Sequence, residues 1–301
     1  MKKLFYFLTL IFVTYSCEDN NEFNFSFPEL FDPTNEEELI TEIKREDGID
    51  FKFYYDNLRR LTKKEEYWPP QILITEYQYD SQDRIIKSMD YDREIFLGES
   101  EYYWNNDSIE MVVYRIQDGS LVKIGKTTFK YNDANLMIHA DVYVPEKDDS
   151  WDKVAYYNFE WENQNYIYSE VWGPLGNSLS KENRVSLIRE DELLEINNYN
   201  KSADTKAEIV KLQEETYNYD SKVNPLRAIS AGKVLLPFVL NCSKNNVIHS
   251  SYIDINNNTD VRDYRYDYND LKHPVFYNMK WETNTTSGEL NWNYFYKDLS
   301  E

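Results

Sequence analysis

The sequence predicts an all-β fold: an antiparallel meander of about eight or nine repeated β-hairpins that forms a long twisted or curled sheet. The main observation is a recurring motif of two aromatic residues, separated by one other residue and followed by Asp or Asn. A second is composition, because aromatics make up 16% of the chain and Tyr, a strand-favouring residue, occurs 27 times. A third is the aliphatic alternation that resumes after each motif, as in Ile109, Met111 and Val113.

Each motif predicts one hairpin. Because the two aromatic residues are two positions apart, both rings lie on the same face of a strand, and the Asp or Asn opens a turn by binding its own backbone. Asp83, Asn135 and Asn165 stand where a turn needs a residue that tolerates the left-handed region. The clear copies are Phe53–Asp56, Tyr77–Asp80, Tyr102–Asn105, Phe129–Asn132, Phe159–Glu162, Tyr217–Asp220 and Tyr266–Asn269. Degenerate copies are predicted within Leu187–Ile196 and Phe238–Ser250.

The two ends of the repeat region are also predicted as strands. The alternation of Leu39, Thr41 and Ile43 favours a strand over a short helix. The closing "WNYFYKD" is typical of a final strand without a partner. No strong domain boundary interrupts residues 39–301, so we expect one β-hairpin repeat domain that forms an open sheet with charged edges.

The N-terminal segment predicts export and lipidation. Lys2 and Lys3 precede a short apolar run, and residues 1–16 have the form of a signal peptide that ends directly before Cys17. An ordinary signal peptide with an incidental Cys is the alternative. Acylation of Cys17 would anchor the mature chain without a transmembrane helix. Residues 17–38 form an acidic tether.

The repeats also resemble a known family. The stretches "YYDNLRRLTK", "YQYDSQDRIIKS" and "YNYDSKVNPLRAI" are similar to the motifs of YD-repeat proteins. They resemble more closely a group of Bacteroidota-type outer-membrane lipoproteins of unknown function with YxYD and YxYND hairpins. This resemblance implies an outer-membrane lipid anchor, and the acidic residues after Cys17 resemble the surface-export signal of such lipoproteins. The inner leaflet of the outer membrane is the alternative location.

The charge and the cysteine content argue against a nucleic-acid partner and against an internal disulfide. The chain has 33 Lys+Arg against 54 Asp+Glu, a net charge of -21, with no basic patch of the kind that nucleic acid requires. We therefore expect no nucleic-acid partner. After acylation of Cys17 only Cys242 remains, so the mature chain has no internal disulfide and depends on its core for stability.

Sequence motifs give little support for catalysis or metal binding. His139, His249 and His273 share no metal-ligand spacing, and no nucleophile elbow, phosphate loop or dinucleotide fingerprint is present. The loop that begins at Asp254 resembles the start of a calcium loop but lacks its Gly and its terminal Glu. We predict no cofactor, no metal and no enzymatic activity, with a weak calcium site at Asp254 left open.

Two tryptophans are the candidate ligand-stacking residues. Trp104 and Trp161 occupy the repeat's aromatic positions, whereas Trp151 and Trp172 lie beside predicted loops and can offer amphipathic rings to a ligand. Packing beneath a loop is the alternative role. The sequence thus predicts a lipid-anchored, non-enzymatic binding or structural module with a protein or glycan ligand. Glycan capture for a nutrient uptake system and a surface hydrolase are the alternatives.

Overall fold

The computed structural model describes residues 38–45, 48–134, 136–146, 150–174, 209–226 and 243–298. These residues form sixteen β-strands. They are β1 Glu38–Arg45, β2 Gly48–Tyr55, β3 Leu61–Trp68, β4 Gln71–Tyr79, β5 Ile85–Asp92, β6 Ile95–Trp104, β7 Ser108–Gln117, β8 Ser120–Tyr131, β9 Met137–Pro145, β10 Trp151–Glu162, β11 Asn165–Pro174, β12 Ile209–Val223, β13 Asn245–Asp254, β14 Thr259–Tyr268, β15 Pro274–Thr283 and β16 Ser287–Asp298. Within the described ranges no helix has the length and hydropathy needed to cross a membrane.

The strands form a closed antiparallel barrel. Each strand pairs with its neighbours in sequence order, and β1 pairs with β16. The predicted open, twisted or curled sheet of hairpin repeats is therefore wrong, although the chain is all-β. Turn motifs specify only pairing between neighbouring strands, so they could not reveal this contact between the two ends of the chain. Closure leaves no edge strand to protect.

The first and last strands, β1 and β16, complete the barrel. They pair like the two strands of a hairpin, but no turn connects them. Tyr294 and Tyr296 on β16 have the same spacing as the motif aromatics, and β1 occupies the place of the return strand. Tyr294 lies opposite Ile43, and Tyr296 lies opposite Ile40. The expectation that the last strand has no partner is wrong, since β16 also pairs with β15.

Turn chemistry follows the predicted mechanism. The Asp80 carboxylate accepts hydrogen bonds from the backbone N–H groups of Gln82 at 2.8 Å and Arg84 at 3.0 Å. Asp83 has a φ of 61°, as predicted. In the turn between β10 and β11, Asn163 and Gln164 rather than Asn165 adopt positive φ, at 50° and 65°. Asn135 and the predicted copy at Leu187–Ile196 lie outside the described residues.

The second aromatic of most motifs links one hairpin unit to the preceding one. The Tyr79 hydroxyl donates to the Leu61 carbonyl oxygen at 2.6 Å, and the Trp104 indole N–H donates to the Ile85 carbonyl oxygen at 2.8 Å. Equivalent bonds join Tyr55 to Ile40, Trp161 to Met137, Tyr219 to Tyr166 and Tyr296 to Pro274. The repeated rings therefore supply both core area and a polar bond between units.

The barrel interior holds two clusters of buried apolar side chains. The larger spans β5 to β11 and includes Ile109, Val113 and Phe129, none more than 1% exposed. The smaller joins β1–β3 to β16 and includes Ile40 and Trp292. Both clusters draw on the motif aromatics at the barrel end that carries the motif turns, and the larger cluster continues along β8–β11 toward the opposite end. We call this opposite end, where each odd-numbered strand ends and the next even-numbered strand begins, the far end.

Candidate ligand-binding surface

Trp151 and Trp172 both lie on the outer face of the barrel, on β10 and β11. Directly opposed residues of neighbouring strands share a face. Trp172 lies opposite Tyr156. Trp151 shares a face of β10 with Lys153, which is two positions later and lies opposite Tyr143. All four aromatic residues are half-buried. We call the surface formed by His139, Tyr143, Trp151, Tyr156 and Trp172 the outer aromatic strip.

One part of the strip is a stack of three rings on adjacent strands. The rings of Tyr156 and Trp172 are parallel within 3°, with centroids 6.0 Å apart. The His139 ring stacks on the other side of Tyr156 at 5.6 Å. An offset stack with this spacing leaves part of each ring face open, which suits contact with an extended ligand that runs across the strands.

Polar side chains border the stack and fix its orientation. The His139 ring binds Asn158 through Nδ1 at 2.8 Å and Asp141 through Nε2 at 2.9 Å. The Asn158 amide donates to the Glu170 carboxylate at 2.9 Å. These bonds run across three strands, from β9 to β11, and hold the aromatic rings on a connected polar network.

The acids of the strip are ionised and paired. Burial alone would raise the pKa of the Asp141 carboxyl, but hydrogen bonds from Lys153 and His139 outweigh that effect and lower it. Glu170 has a lowered pKa for a similar reason: burial opposes ionisation, while hydrogen bonds led by that of Asn158 favour it. Neither carboxyl is held in the protonated form that a general acid needs.

Trp151 lies in a different setting from Trp172. The ammonium groups of Lys123 and Lys126 lie 5.5 Å and 5.1 Å from its ring centroid, and Lys126 also lies 4.8 Å from the Tyr143 ring. Flexible lysines cover this part of the strip and can move away from the rings. The structure thus brings both predicted tryptophans onto one face without direct contact between them.

Asp254 and the other two histidines make local contacts. The Asp254 carboxylate accepts backbone hydrogen bonds from Asn256 and Asn258 at 2.8 Å and 2.9 Å, so it stabilises its own turn. His249 binds Asp263, and His273 stacks on Tyr296. Among the described residues, no group of three His, Cys, Asp or Glu side chains could hold a metal ion. Cys17 and Cys242 lie outside the described residues.

Sequence reasoning did not identify Tyr143, Tyr156 or His139 as members of the strip. Tyr156 directly precedes the alternating aromatics Tyr157, Phe159 and Trp161, and only its strand parity relative to the inward Tyr157 distinguishes it as outward. The strip also needs the cross-strand register, which places Tyr156 beside Trp172. A parity count from the motif at Phe159 could have found Tyr156, but not its partner.

Comparison with known proteins gives only distant structural likenesses. No protein-family model matches the sequence, and no curated protein matches it. A porin-like protein from Bacteroides vulgatus is 12% identical with a TM-score of 0.37, covering 87% of this chain and 100% of that one. A porin-like protein from Bacteroides uniformis is 9% identical with a TM-score of 0.35, covering 78% and 94% of the two chains. At such TM-scores the fold assignment rests on the strand pairing observed in this chain.

Proposed function

We propose that this chain is a lipid-anchored outer-membrane protein whose barrel stands in water and binds a glycan, without catalysis, through the outer aromatic strip. The observation that carries the proposal is the strip itself: stacked amphipathic rings on a strand surface, bordered by amide and carboxylate groups. Pyranose rings offer apolar C–H faces to aromatic rings and hydroxyl groups to polar side chains, so this combination suits them.

The outward face supports a barrel that stands beside the membrane. A barrel that spans a bilayer carries an apolar outward band. Here the outward positions form ion pairs on the strand surface, as in Lys63–Glu65 at 2.7 Å and Lys280–Glu289 at 3.5 Å. A further outward pair is Lys126–Glu110 at 3.2 Å. Attachment through acylated Cys17, with the acidic tether as spacer, is consistent with such a surface.

Absence of catalysis is supported by the state of the strip's acids. Asp141 binds Lys153 and His139, and Glu170 accepts from Asn158. Glycoside hydrolysis needs one protonated and one ionised carboxyl on opposite sides of the bond that breaks. Two paired, ionised carboxylates on an outer sheet face suit hydrogen bonding to hydroxyl groups better than they suit proton transfer.

Ligand binding can be tested by affinity electrophoresis with soluble polysaccharides, among them dextran, laminarin and pectin, cast in the gel. We expect retardation by at least one polysaccharide, and loss of that retardation in Trp172→Ala and Tyr156→Ala. Tyr54→Ala is the matched control, since Tyr54 is an exposed outward tyrosine on β2, away from the strip. Retardation that persists in both strip variants, or that the control also loses, would refute the assignment of the strip.

The anchor needs a separate test in cells. Protease treatment of intact cells, followed by membrane fractionation, should cleave the native protein and find Cys17→Ala outside the membrane fraction. Protection of the native protein would place it on the inner leaflet of the outer membrane. A Cys17→Ala protein that stays fully membrane-bound would overturn the lipid anchor.

A further inference from the structure

On β3, β5 and β14 the inner wall of the barrel carries charged side chains toward the far end. Register partners place Lys64 and Asp90 on the inward face of β3 and β5, and Asp260 and Arg262 on the inward face of β14. The side chains of Arg262 and Asp260 are 38% and 23% exposed. Inward charged groups with this exposure are in contact with water.

Trp281 lies flat on this inner wall. It is directly opposite Gly288 on β16 and opposite Arg262 on β14. A Cβ atom at Gly288 would come within 2.0 Å of Trp281 Cζ2 and within 2.7 Å of Cε2. The indole therefore occupies the space that a side chain at position 288 would need, and one ring face rests on the sheet. The other face of this half-buried ring is directed toward the interior.

Polar groups able to bind hydroxyls stand on the neighbouring strands. Arg262 donates to both oxygens of Asp260, from Nε at 3.1 Å and from Nη2 at 2.5 Å, so the pair is planar and oriented. Tyr252 lies opposite Asp260 on β13. Burial, together with the charges of Asp254, Glu215 and Asp260, raises the pKa of Tyr252 to about 12. The phenol of tyrosine is protonated at neutral pH, so this hydroxyl can donate, and the raised pKa extends that state to higher pH.

We propose that the inner wall at the far end of the barrel binds an uncharged saccharide unit, with its ring stacked on Trp281 and its hydroxyl groups bound by Arg262 and Asp260. An aromatic platform beside a planar donor–acceptor pair matches the apolar face and the vicinal hydroxyls of a sugar. An uncharged ligand is favoured because Asp260 neutralises Arg262 and Glu215 adds a negative charge to the same wall. This site is separate from the outer aromatic strip and does not depend on it.

The test is isothermal titration of the purified mature protein with methyl glucoside, methyl galactoside, methyl mannoside and cellobiose. We expect binding of at least one sugar with a Kd on the order of 1 mM. Gly288→Ala should weaken that binding about tenfold or more, because the new Cβ displaces the indole from the wall while leaving Trp281 in the chain. Gly48→Ala is the matched control, since no atom lies within 4 Å of a Cβ at that position.

Two further variants make the outcome decisive. Arg262→Lys should also weaken binding, because Lys lacks the planar fork, whereas Trp172→Ala should leave it unchanged. Circular dichroism establishes that each variant is folded. Binding in Gly288→Ala equal to that of the native protein, or no binding of any of the four sugars by the native protein, overturns the proposal. Loss of binding in Trp172→Ala alone assigns the sugar to the outer strip.

Discussion

The ion pair between Arg115 and Asp90 tests most directly whether the inner wall of the barrel buries charged side chains. Arg115 on β7 reaches across Gly98 on β6 to Asp90 on β5, with Nη2 3.0 Å from Oδ2. The two side chains are only 6% and 17% exposed. Gly98 is required for this path, because a Cβ there would lie 2.8 Å from Arg115 Cδ and 2.2 Å from the Tyr114 carbonyl oxygen. The Asp90 carboxylate also accepts the Thr75 hydroxyl at 3.2 Å.

Arg115→Met removes the charge and keeps most of the apolar stem. Breaking a buried pair leaves its partner uncompensated, at a cost of 3–5 kcal/mol in general, and the partial exposure of Asp90 places the expected loss near the lower limit, about 3 kcal/mol. For a chain of this size, that loss corresponds to a melting temperature lower by about 6–12 °C. Urea denaturation followed by tryptophan fluorescence measures the change directly.

The matched control is Lys280→Met on the outer face. Lys280 pairs with Glu289 at 3.5 Å, and both side chains are 52% exposed, so we expect a loss of about 0.5 kcal/mol or less. Arg115→Met combined with Asp90→Asn should recover part of the lost stability, because no buried charge is then unpaired. The pair is not buried on the inner wall if Arg115→Met lowers the free energy of unfolding no more than Lys280→Met does. The same conclusion follows if the double variant is no more stable than Arg115→Met.

Two other predictions concern the repeat itself. Tyr79→Phe removes the hydroxyl that binds the Leu61 carbonyl oxygen at 2.6 Å and should lower the free energy of unfolding by about 1 kcal/mol, whereas Tyr103→Phe, at an exposed outward position, should change it little. In the urea assay, an equal effect of both variants would contradict the proposed link. Burial alone would raise the pKa of Asp80, but hydrogen bonds, led by those from Arg84, lower it below 3.8. The native protein should therefore be stabilised by this carboxylate above pH 3.8 and lose that stability as the pH falls through the lower folded value. Asp80→Asn should show a smaller acid-dependent fall in urea midpoint, and an identical fall would refute the assignment.

Much of the fold followed from local patterns. The strand, Asx turn and return strand around Asp80 were predictable, because a carboxylate that binds backbone N–H groups two and four residues later needs no distant partner. The positive φ at Asp83 followed from the same argument. The failure at Asn165 is also local: the turn after β10 uses two left-handed residues, Asn163 and Gln164, so β11 already begins at Asn165.

The candidate surfaces were only partly predictable. Trp151 and Trp172 were selected because they lie beside loops, and the structure places both on the outer aromatic strip. The stack of Trp172 with Tyr156 depends on cross-strand register, which a single sequence does not show. The sequence does not single out Trp281, because its significance depends on Gly288, which faces it on the neighbouring strand β16.

The sequence by itself determined the all-β class, the hairpin unit and the net negative charge, because each depends on residues close together or on composition. Closure of the barrel was decided only by tertiary structure. It requires β1 to meet β16, and contacts such as the Trp292 indole N–H donating to Asp50 at 2.7 Å join residues 242 positions apart. The assignment of an inner and an outer face follows from closure, so the charged inner wall at the far end and the outer strip could be recognised only once the sheet was closed.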